Sequence, residues 1–347
     1  MNTLDHEEVV LTLGKRSGLV TIIAIHSTAL GAAAGGCRMW TYLDWRDGLE
    51  DALRLSEAMT LKCALAGLEF GGGKSVVVLP PGLDLTAELR RNVMLDLGDA
   101  IQALGGRYVA GEDVGTTAED MLVAREQTEF AYCLPVDQGG IGEPSEPTAI
   151  GLFSAIRATC EHLYSDAEPK GRRVTVVGLG QVGSRIARLL AEAGAILTVT
   201  DIDPTKRELA DELGATWIDV DRGLTNDTEI LVPAALGGIL TADIVPSLRC
   251  RAIVGPANNQ LAEGEVAQIL ADAGILWAPD FLVNAGGVIF GALVDGSGVD
   301  PAEAMRRVEG VGATLEEIFA LAATCGSTPS EAATALAQAR ISGARPA

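Results

Sequence analysis

Histidine is almost missing from this chain. Among 347 residues only His6, His26 and His162 carry an imidazole, and none pairs at helical spacing with a second ligand type. A metal site is therefore not expected, and histidine-based acid–base catalysis is poorly supplied. A general base has to be sought among lysine, aspartate and glutamate. C-x-x-C pairs are absent too. The six cysteines (Cys37, Cys63, Cys133, Cys160, Cys250, Cys325) stand apart, which reads as reduced, mostly buried thiols. No apolar stretch reaches the ~18 uncharged residues of a spanning helix. The opening "MNTLDHEEVV" is acidic and lacks the basic and apolar regions of a secretory signal, so the expectation is a cytoplasmic protein. Cationic residues are scarce: 26 Lys and Arg stand against 47 Asp and Glu, a net charge of −21. Such a surface disfavours nucleic acid and anionic membrane as partners.

What is present is apolar material in quantity. The chain is 48% hydrophobic and long enough for two domains of ordinary size. Residues 7–13 and 18–26 read as strands joined by a turn at "GKRSG". "LGAAAGGCRMW" is small and glycine-rich, a place for close backbone approach. A helix follows, with Leu49, Leu53 and Met59 on its apolar face. Residues 75–79 are a β-branched strand, 86–104 a helix, "RYVAGEDVGTT" a strand running into a loop, and 117–132 a helix. "DQGGIGEPSEPTAIG" marks a hinge before a helix at 148–163. From there short apolar strands ("EILVPAA", "RAIVGPA", "GILWAPDF") alternate with helical segments, the pattern of a doubly wound parallel sheet. Residues 300–340 are alanine-rich and helical, and the final "ISGARPA" is expected to fray.

The stretch "GLEFGGGKSVVVLP" invites comparison with a phosphate loop. G-x-x-x-x-G-K-[ST] needs a glycine where Leu68 stands, and its lysine should open a helix. Lys74 instead precedes Ser-Val-Val-Val, so it is placed on a glycine-rich turn entering a strand, where Gly71, Gly72 and Gly73 are expected to leave room for a ligand beside it. The phosphate-binding pattern lies later, in "VVGLGQVG". There Gly178, Gly180 and Gly183 form G-x-G-x-x-G between a strand and a helix, and Asp201 ends the next strand. Gly178 permits the tight turn, Gly180 the approach of a pyrophosphate, and Gly183 close helix packing. A carboxylate at Asp201 suits ribose hydroxyls and repels a 2′-phosphate, favouring NAD over NADP. In the N-terminal half Lys62 and Lys74, near glycines, together with Asp113 in "AGEDVGTT", suggest a cationic pocket facing one carboxylate and suited to a small anionic substrate.

"STALGAAAGGCRMW", "LSEAMTLKCALAGLEFGGGKS", "GEDVGTT", "GLGQVG", "GPANNQLA" and "GILWAPDFLVNAGGVI" together resemble the leucine/phenylalanine/valine dehydrogenase branch of the amino-acid dehydrogenases, in order from about residue 7 to 340. The resemblance implies NAD-dependent, reversible oxidative deamination of an L-amino acid to a 2-oxo acid and ammonia. It implies that Lys62 binds the substrate carboxylate with the backbone at Gly35 and Gly36. It makes Lys74 the catalytic lysine and Asp113 the proton shuttle, with the charge of Lys62 depressing the Lys74 pKa. It places Asn258, Asn259 and Asn284 near substrate and nicotinamide, Thr148 at the nicotinamide carboxamide, and Gln181 and Val182 in the cofactor turn. Pro256 and Ala235 depart from the family pattern at positions where alanine and cysteine are usual.

For the substrate side chain the matching positions are Met59, Gly111, Thr128, Val288 and Gly291. They offer no partner for a charged side chain, which disfavours glutamate. Gly111 and Gly291 stand where leucine-type members carry alanine and valine, so the added volume favours phenylalanine or tryptophan. Val288 points toward leucine and valine. A branched-chain enzyme remains the alternative, followed by an NAD-binding regulatory protein that has lost catalysis. The expected architecture is α/β with two domains and a cleft between them. A substrate and oligomerisation domain spans 1–133 with a C-terminal helix at about 326–347. A Rossmann-type NAD-binding domain spans 134–325. The resemblance also implies a homo-oligomer.

Overall fold

The structure, a computed structural model, describes residues 4–344. The chain divides into two compact units. Among the described residues the first comprises 4–143, 291–300 and 337–344; the second comprises 144–290 and 301–336. This division differs from the predicted one: 134–143 and 291–300 go with the first unit, and 326–336 with the second.

The first unit is built on a five-stranded mixed sheet. β1 (Glu8–Leu13) and β2 (Val20–Ser27) form an antiparallel hairpin. β3 (Ala33–Thr41) leads into α1 (Trp45–Leu65), which starts at an Asp44 cap closed reciprocally by Asp47. β4 (Gly71–Leu79) pairs antiparallel with β2 and parallel with β3. α2 (Ala87–Ala103), β5 (Tyr108–Glu112) and α3 (Ala118–Arg125) complete the unit's regular elements before residue 143. The strand order is β1-β2-β4-β3-β5. Ile22, Ala24, Val76 and Val78 pack with Ala52 of α1 on one face. Ile23, Ile25 and Val77 pack with Met94, Leu97 and Ile101 of α2 on the other.

Three readings of this half change. "AAGGCRMWT" is a strand, lying between β4 and β5, although its alanines and glycines carry little β-propensity. Lys74 lies inside β4 rather than on a turn, because the three glycines before it are themselves strand residues. The predicted helix at 117–132 stops at Arg125. Beyond it Thr128–Tyr132 runs beside β5, with Ala110 and Tyr132 donating their N–H groups to Phe130 O and Ala110 O.

The second unit opens with α4 (Ser145–Tyr164), which begins three residues earlier than expected, with Pro147 in its first turn. β6 (Arg173–Val177), α5 (Gln181–Glu192), β7 (Ile196–Thr200), α6 (Arg207–Glu212), β8 (Thr216–Trp217) and β9 (Ile230–Pro233) follow. Then come β10 (Ala252–Ile253), α7 (Val266–Asp272), β11 (Leu276–Trp277), α8 (Asp280–Val283) and α9 (Gly286–Gly291). The sheet order β11-β10-β9-β6-β7-β8 is parallel throughout, the doubly wound arrangement of a Rossmann-type domain. Its α7-covered face buries Leu231, Ile253, Leu270 and Trp277. A π-helical stretch at Ala292–Gly296 continues α9. α10 (Pro301–Glu309), α11 (Val311–Cys325) and α12 (Pro329–Ala344) complete the chain. The fraying predicted from Ile341 onward does not apply to 341–344, which are helical; the last three residues lie outside the described range. Arg340 donates to the carbonyls of Ala64 and Leu65 at the end of α1. Among the described residues no helix is long and apolar enough to cross a membrane.

Candidate active site

In the first unit the parallel register sets Cys37 against both Ser75 of β4 and Glu112 of β5. Lys74 and Asp113 therefore flank β3 from its two sides. Lys74 Nζ lies 2.8 Å from Asp113 Oδ2. Lys74 is a buried ammonium, 5% exposed, in a strand of valines. Burial raises the Asp113 carboxyl, but Lys74 and then Arg38 outweigh it and hold the group down to about 2. Arg38 Nε reaches the same Oδ2 at 3.1 Å. The pair is thus an ionised carboxylate clamped by two cations, charge-assisted on both sides.

The glycines around this pair are packing glycines. A Cβ at Gly35 would sit 1.8 Å from Gly73 O, and one at Gly36 would sit 2.7 Å from Asp113 Cβ. The run before Lys74 is filled by protein in the same way. Cβ atoms there would meet Ser27 O (Gly71), Thr60 (Gly72) and the Tyr108 ring (Gly73) at 1.9, 2.1 and 2.7 Å. These three glycines let strands and α1 close on β4.

Lys62 is buried in the last turn of α1, and Met59 is half-buried one turn earlier. Thr128 is buried, and its hydroxyl accepts from Phe130 N, 3.2 Å away, inside its own turn. Gly111 and Gly291 are brought together by a residue that the sequence reading passed over. The Cys133 thiol lies 3.1 Å from where a Gly111 Cβ would be and 3.5 Å from a Gly291 Cβ. Ile141 Cδ1 is 3.2 Å from the latter position. Cys133 adopts φ +58°, rare for a side chain-bearing residue, and its N–H donates to Asp295 Oδ2 at 2.8 Å. Burial pushes the thiol up to about 12. Glu112, beside Asp113, is pushed up to about 7 by burial and then by Glu143 and Glu119.

In the second unit the chain turns tightly after β6. Gly178 has φ +103°, and a Cβ at Gly183 would lie 2.0 Å from Gly178 O. Gly180 caps α5 without a side chain, and a Cβ there would meet nothing within 4 Å. No side chain caps this helix start, and first-turn amides such as those of Gln181 and Val182 are the kind of donors that can receive an anion. Asp201 Oδ2 accepts from Leu179 N at 2.5 Å and Oδ1 from Asp203 N at 2.8 Å, so it also braces the turn. Asn284 Nδ2 donates to Asn258 Oδ1 at 2.8 Å and to Pro256 O at 3.3 Å, while Asn284 Oδ1 is buried without a partner. Asn259 has φ +51° and gives its carbonyl to Gly238 N. Thr148 Oγ1 donates to Pro144 O and accepts from Gly287 N. Val288 is half-buried in α9. Pro256 is buried and supplies that carbonyl to Asn284. Ala235 Cβ lies 2.8 Å from a Gly178 Cβ position, lining the turn. Among the described residues no three His, Cys, Asp or Glu side chains gather to hold a metal.

An anion cradle at a helix start suits a dinucleotide, and a buried ammonium held against a carboxylate suits proton transfer at a polar carbon. This is the equipment of a pyridine-nucleotide-dependent dehydrogenase with a Rossmann-type domain. Comparison with known proteins narrows the class. Residues 6–130 match "Glu/Leu/Phe/Val dehydrogenase, dimerisation domain" and residues 202–322 match "Glutamate/Leucine/Phenylalanine/Valine dehydrogenase". Leucine dehydrogenase of Thermoactinomyces intermedius is 39% identical over 98% of this chain and 92% of its own length. Phenylalanine dehydrogenase of Lysinibacillus sphaericus is 40% identical over 98% and 89%. The crystal structure of L-tryptophan dehydrogenase from Nostoc punctiforme superimposes with TM-score 0.85 at 35% identity, covering 98% of this chain and 97% of that one. The chain belongs to the Glu/Leu/Phe/Val dehydrogenase family of amino-acid dehydrogenases, oxidoreductases acting on the CH–NH2 group.

Proposed function

We propose that the protein carries out NAD-dependent, reversible oxidative deamination of an apolar L-amino acid, giving the 2-oxo acid and ammonium. The observation that carries this reading is the buried Lys74–Asp113 pair. In it Lys62 holds the substrate carboxylate, with Gly35 and Gly36 alongside. The substrate amine approaches Asp113, already ionised as a counter-ion. Asp113 takes a proton from the substrate ammonium, and the neutral amine can then release the hydride from the α-carbon. Water adds to the imino carbon as Lys74 turns its ammonium toward the developing oxygen; Asp113 returns its proton to the amine, which leaves as ammonia, and the two water protons pass to that ammonia and to solvent. The cofactor supplies the acceptor for the hydride leaving the substrate α-carbon. Gly178, Gly180 and Gly183 with the α5 amides would hold its pyrophosphate, Asp201 its ribose hydroxyls, and Thr148, Asn258 and Asn284 the nicotinamide end. The unpartnered Asn284 Oδ1 is an acceptor in keeping with a carboxamide N–H. Asp201 supports NAD over NADP, since its charge repels a 2′-phosphate.

Among apolar substrates we favour an aromatic one, on the small side chains at Gly111 and Gly291. A branched-chain substrate is the second reading, because Cys133 and Ile141 occupy part of the volume beside those glycines. Met59, Thr128, Asn259 and Val288 complete the proposed substrate surroundings. Homo-oligomerisation through the first unit accompanies this reading. It is supported by the matched dimerisation domain and by the exposed Leu11 and Leu13 on the edge strand β1. Cytoplasmic residence fits six cysteines that are all free. The test is a substrate panel followed through NADH absorbance, with NAD and NADP as cofactors. A kcat/KM for leucine about tenfold above those for phenylalanine and tryptophan would sink the aromatic preference. No amino-acid-dependent reduction of either cofactor would sink the function.

A further inference from the structure

Asp113 is the inner end of a chain of alternating charges. Arg38, two residues beyond Gly36 on β3, shares that residue's face of the strand. Its guanidinium donates Nε to Asp113 Oδ2 at 3.1 Å and Nη1 to Asp51 Oδ2 at 2.9 Å. Asp51, in the second turn of α1, also accepts from Tyr42 OH at 2.7 Å and from Arg54 Nη2 at 2.7 Å. The side chains of Arg38, Asp51 and Asp113 are 17%, 16% and 20% exposed, so water screens the chain little. Its order is Lys74, Asp113, Arg38, Asp51, with Tyr42 and Arg54 fixing the outer end. Arg38 reaches the two carboxylates from two separate nitrogens of one rigid plane, where a lysine would have to reach both from a single one.

We infer that Arg38 is a positioning residue for deamination: anchored on α1 through Asp51, it fixes the Asp113 carboxylate against Lys74 and keeps the two apart from other partners. The inference rests on the proposed role of Asp113. Lys74 alone touches that carboxylate from one side and must itself swing toward substrate. A second cation on the same oxygen holds Asp113 in place while Lys74 moves. Arg38 thus acts on the chemical step through Asp113 and leaves cofactor binding untouched.

The test uses the full-length protein and the amino acid that the wild type oxidises best. Arg38→Met, Arg38→Lys and Asp51→Asn are compared in steady-state kinetics and in melting temperature. Arg38→Met is expected to lower kcat by about 100-fold, as misplacement of a reacting group does, with the KM for NAD unchanged. Millimolar guanidinium should restore part of that loss, and sodium chloride at the same concentration should not. Arg38→Lys should lose less than Arg38→Met. Asp51→Asn, which spares the guanidinium but frees its outer end, should lower kcat by a smaller factor and gain nothing from guanidinium. A kcat for Arg38→Met within about threefold of wild type, or a loss that guanidinium does not touch, overturns the inference. Should Arg38→Met fail to fold, unchanged kcat in both Arg38→Lys and Asp51→Asn overturns it. A wild type without amino-acid-dependent NADH formation defeats the parent reading itself, an outcome distinct from an active wild type indifferent to Arg38.

Discussion

Lys74 and Asp113 meet through one oxygen: Nζ lies 2.8 Å from Oδ2, the ammonium projecting from the middle of β4 and the carboxylate from the first residue after β5. Removing either member leaves the other partly uncompensated in a low-dielectric setting. Lys74→Met and Asp113→Asn should each lower kcat by about 10²–10⁴, the usual worth of a positioned acid–base group. Their stabilities should differ. Asp113→Asn strands Lys74, leaves Arg38 with Asp51 alone, and should destabilise by about 3 kcal/mol, near the lower end for a broken buried pair. Lys74→Met leaves Arg38 on the carboxylate and should cost less. Denaturant titrations check this; equal losses would show that Arg38 does not share the load.

Glu112 gives a pH dependence with a definite sign. Its carboxyl is pushed up to about 7 in the folded protein, by burial first and by Glu143 and Glu119 next, from about 4.5 in the unfolded chain. The protonated form is therefore favoured by folding. That contribution is complete below about pH 4.5 and is lost as the pH rises through about 7. Glu112→Gln, which cannot ionise, should melt higher than wild type at about pH 8 and at the same temperature near pH 4. A thermal shift series across that range reads the gap. A constant gap would mean that packing, not charge, is being changed.

The Rossmann half was legible because its signals are local. Gly178, Gly180, Gly183 and Asp201 lie within 24 residues of one another, and Gly183 packs on Gly178 O inside the same turn. The first unit was harder, because its meaning is in pairs of strands. Gly71, Gly72 and Gly73 read as room for a ligand, yet each is small because Ser27, Thr60 or Tyr108, residues distant in sequence, fills the space. The β3 strand was hidden by the same cause: alanine and glycine suit a crowded central strand but carry no β-pattern. Arg38 lies inside "STALGAAAGGCRMW" with no role given to it there, and Cys133 lies in no quoted motif. One depends on Asp51 and Asp113 coming to the same guanidinium, and the other on Gly111 and Gly291 meeting around a thiol.

Cofactor choice should follow Asp201. Because the carboxylate accepts from Leu179 N and Asp203 N, it is held rigidly beside the glycine turn and cannot swing away from an approaching 2′-phosphate. Asp201→Ser should lower kcat/KM for NAD by about tenfold and narrow or reverse the preference over NADP. Paired titrations with the two cofactors measure it. A wild type that already prefers NADP would refute the role given to Asp201.

Cys133 should set substrate size. Its sulfur stands where larger residues at Gly111 and Gly291 would project, so the space opened by two small residues is partly closed by a third. Cys133→Gly removes the thiol and also relieves the left-handed backbone at φ +58°, a conformation that costs a side chain-bearing residue about 1–2 kcal/mol. The cavity created by losing a buried side chain offsets that gain, so the melting temperature should change little. The kcat/KM ratio of phenylalanine to leucine should rise by about tenfold, the scale set by one or two heavy atoms in an apolar pocket. Cys133→Val, which adds bulk without polarity, should move the ratio the other way. Ratios unchanged in both variants, with both proteins folded, would place the substrate side chain elsewhere and remove Gly111 and Gly291 from the pocket.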